Sequence, residues 1–215
     1  FFFLSKLLQK KTGWVLLNPI LVAIAMLICF LQFTGVSYET YSEAGSLVEF
    51  WLKPAVVALG VPLYLQLRMI KKQLMPILIS QLAGCVVGLV SVTIIAKLMG
   101  ASPEVIMSLA PKSVTTPIAM EVSNAVGGIP SLTAAVVIVV GLFGAICGFK
   151  LLQVGRVASP IAQGLSMGTA SHAVGTSRAM EVSGKYGAYA SLGLTLNGIL
   201  TALLSPTILH ILGLY

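Results

Sequence analysis

The sequence predicts an all-helical integral membrane protein with about six transmembrane helices and two opposed re-entrant hairpins. Three observations lead there. Apolar residues make up 57% of the 215-residue chain and charged ones only 9%, with a mean hydropathy of +1.00, which no ordinary soluble domain shows. Several windows are long enough to cross a hydrocarbon core of about 30 Å, which takes roughly 20 residues of helix. The third is an internal duplication, marked by the pentapeptide AMEVS at Ala119 to Ser123 and again at Ala179 to Ser183.

The candidate spans are Trp14 to Phe33, Leu52 to Leu67, Leu74 to Met99, Ile129 to Gly148 and Ser191 to Leu212. Pro54 and Pro62 predict a kink in the second of these. The opening FFFLSKLLQKK reads as the tail of a first, truncated helix rather than a signal peptide. Cys29, Cys85 and Cys147 lie inside spans with neither paired nor metal-ligand spacing, so they read as small apolar residues.

The net charge of +7 is a topology signal rather than a nucleic-acid footprint, because the cations cluster in short connections between spans. Lys10, Lys11, Arg68, Lys71, Lys72, Lys150 and Arg156 mark one side, and Glu39, Glu43, Glu49 and Glu104 the other. By the positive-inside rule the first set is cytoplasmic and SYETYSEAGSLVE is outside. Residues 101–128 must then begin and end outside, and residues 157–187 dip in from the cytoplasmic face. Both stretches are too apolar for loops and too broken for spans, so each reads as a re-entrant hairpin within a single membrane domain, 1–215.

Laid over itself with a shift of 60 residues, VTTPIAMEVSNAVGGIPSL matches VGTSRAMEVSGKYGAYASL at ten of nineteen positions. One crossing separates the copies, so the repeat is inverted, the pattern of secondary transporters that bind substrate where broken helices meet. Small residues alone would more simply serve helix packing, but the charges at the breaks favour a site. Thr116 before Pro117, and Thr176 before Ser177, read as matched helix starts whose free N–H groups would hold an anion.

Lys112 precedes the first break, His172 holds the same place in the second, and Arg178 follows Thr176. A cation at a helix start is misplaced unless an anion joins it. The substrate-binding set predicted is therefore Lys112, Ser113, Thr115, Thr116, His172, Thr176, Ser177 and Arg178. The simpler readings are a local Arg178–Glu181 pair, snorkelling of Lys112 and packing of His172. Glu121 and Glu181 lie roughly 7 Å past the breaks and need a partner, water or a proton. Pairing is favoured for Glu181, while Glu121 stays open between pairing and proton coupling. No catalytic residue, metal or cofactor is expected, since the chain has two His, no Asp and no nucleophile or cofactor motif.

LLNPILVA, KPAVVALGVPLY, LMGASPE, PKSVTTPIAMEVS, GGIPSLTA and GLSMGTASHAVGTSRAMEVS together resemble the LrgB/CidB family of bacterial membrane proteins. The resemblance covers nearly the whole chain. It implies a multi-pass protein of the cell inner membrane acting with a small holin-like LrgA/CidA-type partner. It also implies one of two activities. One is control of murein hydrolases and envelope permeability, as in holin and antiholin systems. The other is transport of small carboxylates such as glycolate, glycerate or pyruvate, as in a similar plastid protein that exports glycolate in exchange for glycerate. The duplication favours transport. Partners expected are a carboxylate, the holin-like protein, the lipid bilayer and a second copy in a homodimer, with no nucleic acid.

Overall fold

A computed structural model describes residues 1–12, 17, 19–51, 54, 64, 71 and 73–214. Among these residues the chain is helical and contains no strand. In chain order the helices are α1 (Phe2–Thr12), α2 (Pro19–Thr34), α3 (Tyr38–Phe50), α4 (Leu74–Leu98), α5 (Pro103–Leu109), α6 (Thr116–Ala125), α7 (Pro130–Val154), α8 (Pro160–Val182) and α9 (Gly184–Ile211). Internal contacts divide the chain into two compact units, Phe1–Val57 and Ala58–Tyr215.

In the first unit α1 packs on α2. Ser5 is buried there, its hydroxyl donating to Phe1 O at 3.0 Å and lying 3.9 Å from Met26 Sδ. The segment expected outside the membrane is itself helical, as α3. The expected kinked span at Leu52 to Leu67 lies outside the described residues except for Pro54 and Tyr64.

The second unit is built on three helices long and apolar enough to cross a membrane, α4, α7 and α9. All three are close to uniformly apolar around their circumference, as helices do that meet protein on one face and lipid on the other. Helix α4 matches the expected span. Helix α7 continues past Gly148 to Val154, and α9 begins at Gly184, seven residues before the expected Ser191. Both extensions add residues that hydropathy undercounts because they include Lys150, Lys185 and glycines.

Pair contacts set the directions. Ile77 clusters with Tyr189 and Leu192, Cys85 Sγ lies 3.5 Å from Thr201 Oγ1, and Lys97 Nζ donates to Leu212 O, so α4 and α9 run parallel. Helix α7 runs the other way against the first part of α8, with Gly148 beside Met167, Gly144 beside Ser171 and Gly141 beside His172.

Helix α8 is two arms. Ser171 and His172 have non-helical backbone angles, and His172 takes a positive φ of 41°. Met167 and Ala179 share one buried cluster, although a straight helix would hold residues twelve apart at roughly 18 Å. The chain therefore folds back at Ser171–His172. The other reversal runs from α5 through Pro111 to α6. It is closed at its base, where Ile129 N donates to Ser108 Oγ at 2.7 Å and the Thr133 hydroxyl lies 2.9 Å from Ser108 O and 2.7 Å from Ser123 Oγ. A Cβ on Gly128 would sit 2.9 Å from Ser108 N, so only glycine lets the two legs meet.

One reversal starts from the end of the bundle where α4 finishes, and the other from the end where α4 begins. Asn124 and Gly184 are exposed at these opposite ends. In a background lacking the native cysteines, single cysteines placed at these two positions are expected to react with a membrane-impermeant maleimide from opposite faces of the membrane. Labelling of both from one face would remove the inverted arrangement.

Candidate functional site

Both reversals break at the same point of the duplication. With the 60-residue shift, Pro111–Lys112 overlies Ser171–His172, and Met107, Ala110, Val114 and Thr116 overlie the identical Met167, Ala170, Val174 and Thr176. The breaks have different local causes. Pro111 removes a backbone donor in the first, while the second is made by the positive φ of His172. Gly175 lets the second arm pass close by, since a Cβ there would lie 2.5 Å from Met167 O.

The two tips meet at one amide. Asn197, 1% exposed and at the middle of α9, donates from Nδ2 to Ser113 O at 3.2 Å and to Thr169 O at 3.0 Å. Both partners are carbonyls, so the nitrogen must face them and the side chain cannot be turned over. Its Oδ1 is buried without a partner.

Beside this junction lies a cavity of about 600 Å³, within the range of small-molecule sites. One wall is Gln73 and the α4 residues from Pro76 to Leu89, roughly 20 Å of helix. The first arm of α8 forms the opposite wall with Ser166 and Thr169, and Lys112, Ser113 and Asn197 stand at the inner end. Polar groups converge there. The Thr169 hydroxyl lies 2.8 Å from Gln81 Oε1 and 2.7 Å from Leu165 O. Lys112 Nζ makes only long contacts, 3.3 Å to Ser113 Oγ and 3.5 Å to Gly88 O. It is the one charged side chain among the described lining residues, and no carboxylate pairs with it among the described residues.

The expected substrate-binding residues separate into four pairs. Lys112 and Ser113 line the cavity. Thr115 lies next to them with its hydroxyl buried and unpartnered, and Thr116 is half-buried at the start of α6, outside the lining. His172 and Thr176 are buried on the α7 side. His172 Nε2 is 2.8 Å from Val137 O and so carries the proton there, and Thr176 Oγ1 donates back to His172 O at 2.8 Å. Ser177 and Arg178 are exposed on the second arm, where Arg178 Nη1 donates to Glu181 Oε2 at 2.5 Å. Glu121 is exposed on α6.

Two expectations need correction. The threonine-headed starts are displaced: Thr115, not Thr116, takes the extended cap conformation, and its hydroxyl makes no cap bond. Thr176 sits four residues inside the second arm. The reason is that the chain breaks at Pro111 and at His172, upstream of both threonines. Arg178 forms the simple local pair with Glu181 and is absent from the cavity wall, because a helical position six residues past His172 points to the outer surface. Asn197, Gln81, Thr169 and Ser166 were missed. Their signal was present, as polar side chains inside spans such as LTLNGIL and LISQLAGC, which in a membrane need partners or a function.

A family profile described as "LrgB-like family" matches residues 1–211. The chain belongs to this family. It is 38% identical to the holin-like protein CidB of Staphylococcus epidermidis over 208 residues, covering 97% of this chain and 91% of that protein. The Staphylococcus aureus holin-like protein CidB is 37% identical with the same coverage. YwbG of Bacillus subtilis, named as uncharacterized, is 37% identical over 205 residues, covering 95% and 91%. No solved structure matches. As a member of the LrgB-like family with three long apolar helices, the chain is a multi-pass protein of the cell membrane of the LrgB/CidB type.

Within this LrgB-like bundle, Asn197→Ala removes the shared donor and orphans two carbonyls. The expected loss is on the order of 1–2 kcal/mol, the upper range for side-chain hydrogen bonds inside membranes, read as a lower midpoint of thermal unfolding in detergent. An unchanged midpoint would mean the tips are held by packing alone.

Proposed function

We propose that this LrgB-like protein is a secondary transporter, or the transport subunit of a pair, for small carboxylates such as glycolate, glycerate or pyruvate. On this reading residues 101–128 and 157–187 are re-entrant hairpins that enter the membrane from opposite faces, and the anion binds between their tips. The observation that carries it is Lys112, an ammonium with no carboxylate partner among the described residues, at the inner end of a cavity whose other described lining groups are neutral. A buried charge without a counter-ion is costly, and a membrane interior raises the cost. A monocarboxylate supplies the missing charge, and Ser113 lies beside it to donate a hydroxyl hydrogen. His172 and Thr176 would contact the ligand only after rearrangement, since both are buried against α7.

Glu121 and the Arg178–Glu181 pair lie on outer surfaces, so coupling through either glutamate is not favoured by their placement. The protein acts as no enzyme on this reading and works with a small holin-like LrgA/CidA-type partner.

A second reading is favoured by the names of the relatives. The staphylococcal CidB proteins are described as holin-like, and by that analogy this chain modulates envelope permeability and murein hydrolase activity. A permeability pathway needs no charge-selective cavity, so the two readings differ in what Lys112 does.

Vesicles carrying the protein, with and without the holin-like partner, are expected to take up radiolabelled glycolate or pyruvate with saturation. Lys112→Gln is expected to lower uptake at least roughly tenfold, the worth of one lost charge-assisted contact of about 1.4 kcal/mol or more. Arg178→Gln, which breaks an exposed pair worth under about 1 kcal/mol, is expected to change it by less than about twofold. Non-saturable leak of neutral and charged solutes alike, indifferent to Lys112→Gln, would favour the holin-like reading.

A further inference from the structure

The duplication extends beyond the hairpins into the helices that precede them. Shifted by 60 residues, Gly84 and Gly88 of α4 overlie Gly144 and Gly148 of α7, and Gln81 overlies Gly141. Helix α4 with the reversal after it, and α7 with the reversal after it, are therefore two copies of one unit running in opposite directions.

The copies are not in the same conformation. In the second, the hairpin is seated on its glycine track. A Cβ on Gly144 would fall 1.6 Å from Ser171 Oγ, one on Gly148 would be 2.5 Å from Met167 Sδ, and one on Gly141 would be 2.5 Å from the His172 ring. In the first copy the equivalent track is bare among the described residues. There a Cβ on Gly88 would meet no described atom within 4 Å, and one on Gly84 would meet Thr169 Cγ2, from the other hairpin, at 3.2 Å. The space left open is the cavity with Lys112 at its inner end. One copy is closed on its glycine track, while the other touches its helix beside the track, with Met107 and Ala110 packed in one cluster with Cys85 and Leu89.

We infer that the two copies exchange these conformations, so that a second cavity opens at the opposite end of the bundle with His172 in the place of Lys112. In that state Met107 seats on Gly88 and Pro111 on Gly84, as Met167 and Ser171 now seat on Gly148 and Gly144. His172 leaves Val137 O and gives up its positive φ, a strained geometry for a residue with a Cβ. The new walls are the counterparts of the present ones. Ile106, now 2% exposed, takes the role that Ser166 has here, and Gly144 and Gly148 become lining. Similar energies for the two states follow from similar sequence making similar contacts in each, and two such states around shared tips give access from either end. The inference rests on the transport reading for its purpose but not for its geometry.

The test uses the full chain in sealed vesicles of both orientations, with Cys29, Cys85 and Cys147 replaced, and a membrane-impermeant thiol reagent. A cysteine at Ser166 is expected to react from the face where α4 begins, and a cysteine at Ile106 from the other face. Gly88→Val fits the open track of the present state but blocks the seating of Met107. It is expected to preserve labelling at Ser166, to lower the labelling rate at Ile106 at least roughly tenfold and to abolish uptake. The smaller Gly88→Ala is expected to do the same in lesser degree, which separates a steric block from misfolding. Failure of Ile106 to label from either face, labelling of Ile106 that ignores Gly88→Val, or failure of Ser166 to label would each overturn the exchange. No carboxylate enters the labelling, so a wrong substrate class would leave this result standing, while saturable uptake with a silent Ile106 would remove the exchange alone.

Discussion

Everything near the centre of this molecule depends on what happens to backbone groups where a helix is broken away from water. A break exposes donors and acceptors that hydrocarbon cannot satisfy, so broken helices survive only where protein or a wet cavity covers them. Here one side chain meets much of that need. Asn197 stands at the middle of α9 and gives both hydrogens of its amide to the two tips. A single residue thus ties two segments that are 56 positions apart and that approach from opposite ends of the bundle. A serine in its place has one hydrogen to give, and an aspartate has none when ionised.

Around that junction, packing is decided by glycine. The second hairpin lies against α7 at Gly141, Gly144 and Gly148, and its first arm lies against α9 so closely that a Cβ on Gly168 would come 1.9 Å from Ala190 O. Small residues permit this approach, and dispersion across it replaces the hydrophobic drive that lipid cannot supply between helices. On the α4 side the same kind of track is uncovered among the described residues, and a cavity lies there beside the contact of Met107 and Ala110 with Cys85 and Leu89. The asymmetry between two copies of one sequence unit gives the site its shape.

The repeated AMEVS now has a structural meaning. In both copies the alanine is 0% exposed and the glutamate is on the outer surface. The alanine is where each returning arm packs, Ala119 against Val137 and Ala179 against Met167 and Ala190. The glutamates point away from the cavity, and Glu181 is satisfied by Arg178 three residues before it. The motif therefore marks the packing face of an arm, while the charge that faces the cavity belongs to Lys112, which has no copy in the second half.

Composition and hydropathy by themselves determined the class of the protein and the helices α4, α7 and α9 to within seven residues at either end, and the sequence laid on itself determined the duplication with its register. These are legible because they depend on local residue type and on spacing along the chain. Lys112 and Ser113, which line the cavity, stood out in the sequence because a cation next to Pro111 in an apolar stretch is anomalous on any fold. Tertiary structure alone decided the rest. Which face of an arm Arg178, Ser177 and Glu121 occupy depends on where the helix restarts, and that point is set by the positive φ of His172 and by Pro111, several residues from the threonines that look like caps. Asn197, Gln81 and Thr169 converge only because α4, α9 and the first arm of α8 run parallel side by side, a relation between residues up to 116 positions apart. Which of two similar halves is seated on its glycine track and which leaves that track open is written nowhere in a repeat. It follows from how each fills the space that the other leaves.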